Sequence, residues 1–505
     1  MKSNRKADQK LQAWFLIFGL VLLLAVSTWA QSAATQAPSS AAAVQQSPSK
    51  TNPPASGADK AAPKQSEQKI SPKEAEELFR SVDEILKFAS DDTGLPIKDQ
   101  VKRQLATREQ VVSYLEKNMA EDKDAKRLQR SELVLKKFGL LPNDFDLKSF
   151  LVSLLREQVA GYYDPKTKTV NLLDWLNVDE QRPVLAHELT HALQDQSFDL
   201  EKWLKEGDTD IDDKETPTAA DIAADEIGTA REAVVEGQAM VSLMDYMLEP
   251  VGKSLATDPQ LAQAMENSMF VGTEDLPQFK SAPIFLRESL IFPYRYGMAF
   301  TAELMQKEGK EKAFSGVFRH PPESSRQIME PKTYLSGEHI EPMRLPDFKS
   351  DFKNYDRFDI GAIGECDVAV LVEQYAGKDA SQNIYPQWRG GYYYAVRPKA
   401  DAAAPLGVLY LSRWADAAGA GRFAAIYAGA LSTRYKHVSD MADADGKQVA
   451  KDHAGETLSG THRWKTEDGL VEISVRANDV LITESLDQPT TDRLEQELLP
   501  AAAQP

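Results

Sequence analysis

The stretch VLAHELTHALQDQ, Val184 to Gln196, decides how the rest of the chain is read. On a helix, residues four apart share a face, so His187 and His191 project together and can reach one ion. Glu188 is rotated by about 100° from His187, close enough to act on something the histidines hold without itself holding it. Val184, Leu185, Leu189, Ala192 and Leu193 give the helix an apolar back, and Glu188 is the one acidic or basic residue besides the histidines from Val184 to Leu193. Two readings follow. In one, the pattern H-E-x-x-H binds a metal through its histidines, and Glu188 deprotonates a metal-bound water. In the other, the helix has a polar face with two hydrogen-bonded histidines.

A hydrolytic metal site needs three protein ligands and one open position. A third histidine six residues after His191 is absent: Ser197 stands there, and Gln194 stands where that arrangement wants glycine. A carboxylate on a second helix is the other solution. TAREAVVEGQAMVSLMDYM, Thr229 to Met247, offers Glu232 and Glu236 on one face. Gly237 and Ala239 are small enough to let this helix approach the first, which makes Glu236 the preferred third ligand and Glu232 the second choice. The competing reading is that both face solvent, as most helical glutamates do.

HELTH with a downstream Glu-Gly-x-Ala helix resembles the gluzincin metallopeptidases, from Tyr162 to about Phe300. The resemblance implies an α+β fold: a mostly helical zincin-like metallopeptidase core with a small edge-strand sheet. It implies zinc as cofactor, His187, His191 and Glu236 as its ligands, Glu188 as the catalytic base, and a peptide or protein substrate. It also implies an edge strand that pairs with extended substrate, for which AGYYD (160–164) and TVNLL (169–173) are the candidates. IFPYRYGMAFTAEL, Ile291 to Leu304, is similar to the gluzincin segment Tyr-x-x-Gly-x-x-Phe through Tyr294, Gly297 and Phe300. That match implies Tyr294 as a catalytic hydrogen-bond donor to the oxyanion formed by attack on a carbonyl; an aromatic core residue is the alternative. Arg295, Tyr296 and His320 are weaker candidates. The chain departs from the thermolysin-like branch at Met240, where an aspartate would orient a histidine, and Asp195 is the substitute considered. No Gly-x-Met-Glu-Asn segment is present, which favours an endopeptidase over an aminopeptidase.

The remaining sequence sets this segment in context. The 505 residues suggest more than one domain. A net charge of −18 argues against a nucleic-acid partner. Lys2, Arg5, Lys6 and Lys10 precede the apolar run Ala13–Val26 and the small residues Thr28 and Ala30, the order of a secretory signal over 1–30. The run is short for a membrane span, so retention as an N-terminal anchor is the lesser alternative to a periplasmic or secreted protein. Residues 31–70, rich in Ala, Ser, Pro and Gln, read as a disordered linker. Cys366 is the only cysteine, so no intrachain disulfide forms; it reads as a buried small residue at the start of a helix.

Ordered structure is expected from Ser71, with Pro72 and Glu74 completing a helix start. A metallopeptidase domain is expected over 71–345 and an accessory α+β domain over 346–505, built on GYYYAVRP, LGVLYLSRW, GLVEISVRA and DVLITESL. The rival to an enzyme is a non-catalytic envelope binding protein on a degenerate peptidase scaffold, with the C-terminal region doing the recognising. Substrate, oligomeric state and any prosegment role of 71–150 are left open by the sequence.

Overall fold

Helix α1, Pro72–Thr93, begins where the sequence sets its start: Ser71 caps the Glu74 N–H, and the Glu74 side chain returns to the Ser71 N–H. Its buried stripe, Leu78, Val82, Ile85 and Leu86, enters the main core. The computed structural model describes residues 69–119, 122–158, 161–206, 211, 214–268, 277–441 and 457–499. The expected signal (1–30), and the expected linker (31–70) up to residue 68, lie outside these.

Strand β1 (Lys102–Ala106) follows, then helices α2 (Arg108–Met119), α3 (Asp122–Lys137) and α4 (Leu147–Gln158). Strands β2 (Tyr162–Asp164) and β3 (Thr169–Leu173) form the expected hairpin. They join β1 in a three-stranded sheet of order β1-β3-β2, with β1 parallel to β3. TVNLL is therefore the central strand, paired on both sides and wholly buried. It cannot offer a free edge, and β2 is the edge strand of the two candidates. Ala160 lies outside the described residues.

Three long helices build the core around the motif: α5 (Val178–Phe198), α6 (Ala219–Leu248) and α7 (Ile284–Glu308). Helix α1 packs along α5, so part of 71–150 forms the back of the motif helix. Val184, Leu185, Leu189 and Leu193 of α5 meet Val234, Val235 and Val241 of α6 and Met298 and Phe300 of α7 in one apolar cluster.

The C-terminal part is a seven-stranded antiparallel sheet of order β4-β5-β6-β10-β9-β8-β7. Its strands are β4 (Tyr355–Ala362), β5 (Trp388–Pro398), β6 (Gly407–Trp414), β7 (Val438–Met441), β8 (Gly460–Thr466), β9 (Gly469–Arg476) and β10 (Asp479–Glu484). One face is covered by α8 (Glu365–Ala376) and α9 (Ala417–Arg434), through Val368, Leu371, Phe423, Tyr427 and Leu431. The other carries α10 (Gln488–Leu498) with Phe348 and Phe352. The chain as described is α+β. Val134, Phe138 and Leu140, at the end of α3, pack into the core between the sheet and α8 and α9. There Arg434 holds the Glu484 carboxylate at 2.8 Å and donates to the Lys137 carbonyl.

Candidate metal centre

Helix α5 is capped by Asn177, whose side chain accepts the Glu180 N–H at 2.8 Å. From Val184 to Asp195 every residue is buried. An α-helical repeat with an apolar back thus presses its two histidines inward, against α6. Helix α6 is set by a capping box between Thr218 and Asp221, and it presents Glu236, fully buried, to those histidines.

The three expected ligands converge. His187 Nε2 lies 3.1 Å from Glu236 Oε2, His191 Nε2 lies 3.4 Å from the same oxygen, and the two Nε2 atoms are 3.0 Å apart. Among the described residues this is the one group of three or more His, Cys, Asp or Glu side chains whose donor atoms gather as for an ion, and it could hold a metal. Burial alone would raise the Glu236 carboxyl, but the two histidines outweigh it and hold the group down to about 2. Burial likewise works against a charged His191, and the Glu236 carboxylate overcomes it and lifts His191 to about 9. His187 is lowered by burial. Glu236 is thus ionised and paired with a charged His191, whose proton a bound cation would displace.

Glu188 stands beside the cluster. Its Oε2 accepts the Tyr163 backbone N–H at 2.7 Å, and its Oε1 is buried without a partner. Burial raises it to about 7. The donor belongs to β2, so the edge of the small sheet and the carboxylate are joined directly.

Tyr294 comes to the cluster through an unusually close helix crossing. A Cβ at Gly237 would lie 2.1 Å from the Gly297 carbonyl carbon, and one at Gly297 would lie 2.1 Å from the Ala233 carbonyl oxygen. Gly237 therefore permits the approach of α7, and not of the motif helix as its position beside Glu236 suggested. The Tyr294 ring lies 6.4 Å from the His187 ring, and its hydroxyl is buried without a completed hydrogen bond. Burial, then the charges of Glu236, Glu232 and Glu188, push that hydroxyl well up.

The expected support from Asp195 is not found at His191. Asp195 instead accepts the Tyr163 hydroxyl at 2.7 Å, pairs with Lys168 at 2.5 Å and takes the Leu200 N–H at 3.2 Å. Gln194 does that work: its Oε1 lies 2.9 Å from His191 Nδ1, and its Nε2 donates to the Val235 carbonyl and to Gln238. Gln238 in turn donates to the carbonyls of Ala313 and Phe314. The spacing held the signal, since a residue three after His191 lies on its face.

Of the weaker candidates, Arg295 pairs with Glu288 at 3.2 Å, Tyr296 packs on Phe292, and His320 is exposed. Glu232 is buried but is not a member of the cluster. No described helix is long and apolar enough to cross a membrane. No family model, curated protein or solved structure matches the chain.

Proposed function

We propose that the chain is an exported zinc-dependent peptidase of the gluzincin type, acting as an endopeptidase. The observation that carries this reading is the spacing of the donors. A tetrahedral ion with ligand bonds near 2.0–2.1 Å keeps its ligand atoms about 3.3 Å apart, and the three donors here stand 3.0, 3.1 and 3.4 Å from one another. Two imidazoles and one carboxylate are a donor set that zinc takes in hydrolytic sites, with a fourth position open. Glu236 Oε1 and His187 Nδ1 are buried without partners.

When bound, zinc supplies Lewis acidity and lowers the pKa of water. The protein supplies the rest. Glu188, at about 7, is poised to take a proton from water and return it to a leaving amine near neutral pH. Tyr294 offers a buried hydroxyl beside the Glu236 carboxylate, in a site where a hydrogen bond to a developing anion is worth more than in water. Gln194 fixes the ring of His191. The side of β2 that faces away from β3 faces Glu188, so a peptide extended along that edge runs beside the base. The export in this proposal rests on the order of basic, apolar and small residues in 1–30.

The test is metal analysis and hydrolysis of unfolded casein, with and without chelator. One zinc per chain and chelator-sensitive cleavage are expected, and Glu188→Gln is expected to keep the zinc and lose cleavage. Folded protein that takes up no zinc when zinc is supplied overturns the proposal. Protein that binds zinc and cleaves nothing favours the non-catalytic rival.

A further inference from the structure

The candidate ligands His187, His191 and Glu236, with Glu188 and Tyr294 beside them, are shut away from solvent: none is more than 5% exposed. A peptide reaches them only after something gives way. Strand β2 is the element that joins this buried group to the edge of a sheet, and one of its residues, Tyr163, makes the join.

Successive residues of a strand turn their backbone groups to opposite sides. Tyr163 sends its N–H to Glu188 Oε2 at 2.7 Å, so Tyr162 and Asp164 turn theirs toward β3. Strand β2 is three residues long. Tyr163 therefore carries the one N–H that this strand holds out to a further strand, and Glu188 already occupies it. The carboxylate stands where the carbonyl of an added strand would stand. The Tyr163 side chain fastens the same contact. Its hydroxyl donates to Asp195 Oδ2 at 2.7 Å, and Lys168, from the hairpin turn, holds that carboxylate at 2.5 Å. Glu188 and Asp195 are seven residues apart on α5, two turns or about 10 Å. Tyr163 is thus pinned to the motif helix at two points, by its backbone and by its ring.

We propose that β2 is a strap that keeps the site closed until substrate arrives. Glu188 stays on the Tyr163 N–H until a carbonyl of an extended peptide takes that N–H over, and the exchange frees Glu188 to act on water. Only hydrogen bonds change hands in this step. Tyr163 is then a positioning residue, acting through Glu188 and without touching the reacting atoms, and its hydroxyl on Asp195 sets how firmly the strap holds. The proposal concerns the regulation of the site described above and rests on the peptidase reading.

Two measurements test it. The first compares zinc-loaded Glu188→Ala and Glu188→Gln for binding of a fluorescein-labelled casein peptide that the parent cuts. Glutamine keeps an oxygen for the Tyr163 N–H, and alanine leaves that N–H to the peptide. A neutral hydrogen bond of this kind is worth roughly fivefold, so Glu188→Ala should bind the peptide tighter by about that factor. Equal affinities, or tighter binding by Glu188→Gln, overturn the proposal. The second measurement needs no substrate. Tyr163→Phe loses the hydroxyl that Asp195 holds, and the strap opens more often. Zinc should then pass to a chelator, and return to the emptied protein, roughly tenfold faster, with the affinity for zinc unchanged. Cleavage by Tyr163→Phe should show a lower KM at the kcat of the parent, a split that a packing role alone would not produce. Exchange rates equal to those of the parent overturn the proposal. A parent that cleaves no casein overturns the peptidase reading, and faster zinc exchange in Tyr163→Phe would then still support β2 as the strap over the cluster.

Discussion

Replacing Gly297 by alanine tests the crossing that assembles the site. The new methyl would sit 2.1 Å from the Ala233 carbonyl oxygen and 3.1 Å from the Gly237 Cα. Ordinary contact needs roughly 3.5 Å. No rotamer can relieve the clash, because both sides of it are backbone. Helices α6 and α7 must therefore part by about 1 Å. Overpacking of this kind costs about 1–3 kcal/mol, and the better helix propensity of alanine returns about 1 kcal/mol. A net loss of about 2 kcal/mol is expected at most. The larger effect falls on the site, because Glu236 rides on α6 beside Gly237 and Tyr294 rides on α7. A misplacement of about 1 Å can cost on the order of a hundredfold in rate. Gly429→Ala is the control: Gly429 is exposed within α9, with nothing within 4 Å of the added methyl, and should gain up to about 1 kcal/mol. Denaturant midpoints and competition for zinc with a chromogenic chelator measure the two effects. Should Gly297→Ala match Gly429→Ala in midpoint and keep the parent affinity for zinc, the crossing does not hold the site in place.

Three further outcomes are expected. Gln194→Ala should weaken zinc binding by about 10- to 100-fold, because His191 Nδ1 loses its acceptor, whereas Asp195→Asn should leave zinc affinity near that of the parent; equal effects would reassign the support of His191. Tyr294→Phe should keep its zinc and lose about 10²–10³ in kcat; an unchanged rate would make Tyr294 a packing residue only. Burial, helped by the charge of Asp367, raises Glu226 to about 8 from its ordinary 4.5. The folded chain therefore holds a proton there that the unfolded chain releases, and stability falls as pH rises between those values, by up to about 1.4 kcal/mol per unit. Glu226→Gln should lessen the fall of the unfolding midpoint over pH 5–8, with the slope that remains set by Glu365, Glu188 and Asp367, which burial also raises; parallel curves for the two proteins would remove Glu226 as a source.

What the sequence made legible is what local chemistry sets. The helix start at Ser71 was readable because its cap lies within three residues. The buried cluster was readable because helical spacing places His187 with His191, and because a glutamate on a helix rich in small residues is a natural partner. Strand β4 was not, since a bulge between Arg357 and Asp359 breaks its two-residue period. Strand β8, GTHRWKT, has one buried apolar residue, Trp464, and is held by β9 rather than by its own alternation. The parallel pairing of β1 with β3 joins segments far apart in sequence, and no local pattern encodes such a choice. The same limit hid the partner of Gly237, which lies sixty residues further along the chain.

Helix α3 belongs to both halves of the molecule. Leu128 and Leu135 wall a cavity shared with α4, α6, α7 and α8, while Val134 and Phe138 are embedded under the large sheet, and the Lys137 carbonyl is held by Arg434. Trimming the chain at residue 345 would strip the cover from Val134, Phe138 and Leu140 and loosen the helix whose other face shapes that cavity. A shortened chain would thus be altered at that cavity. The C-terminal region thus supports that cavity through α3 and also directly, through Cys366 and Asp367.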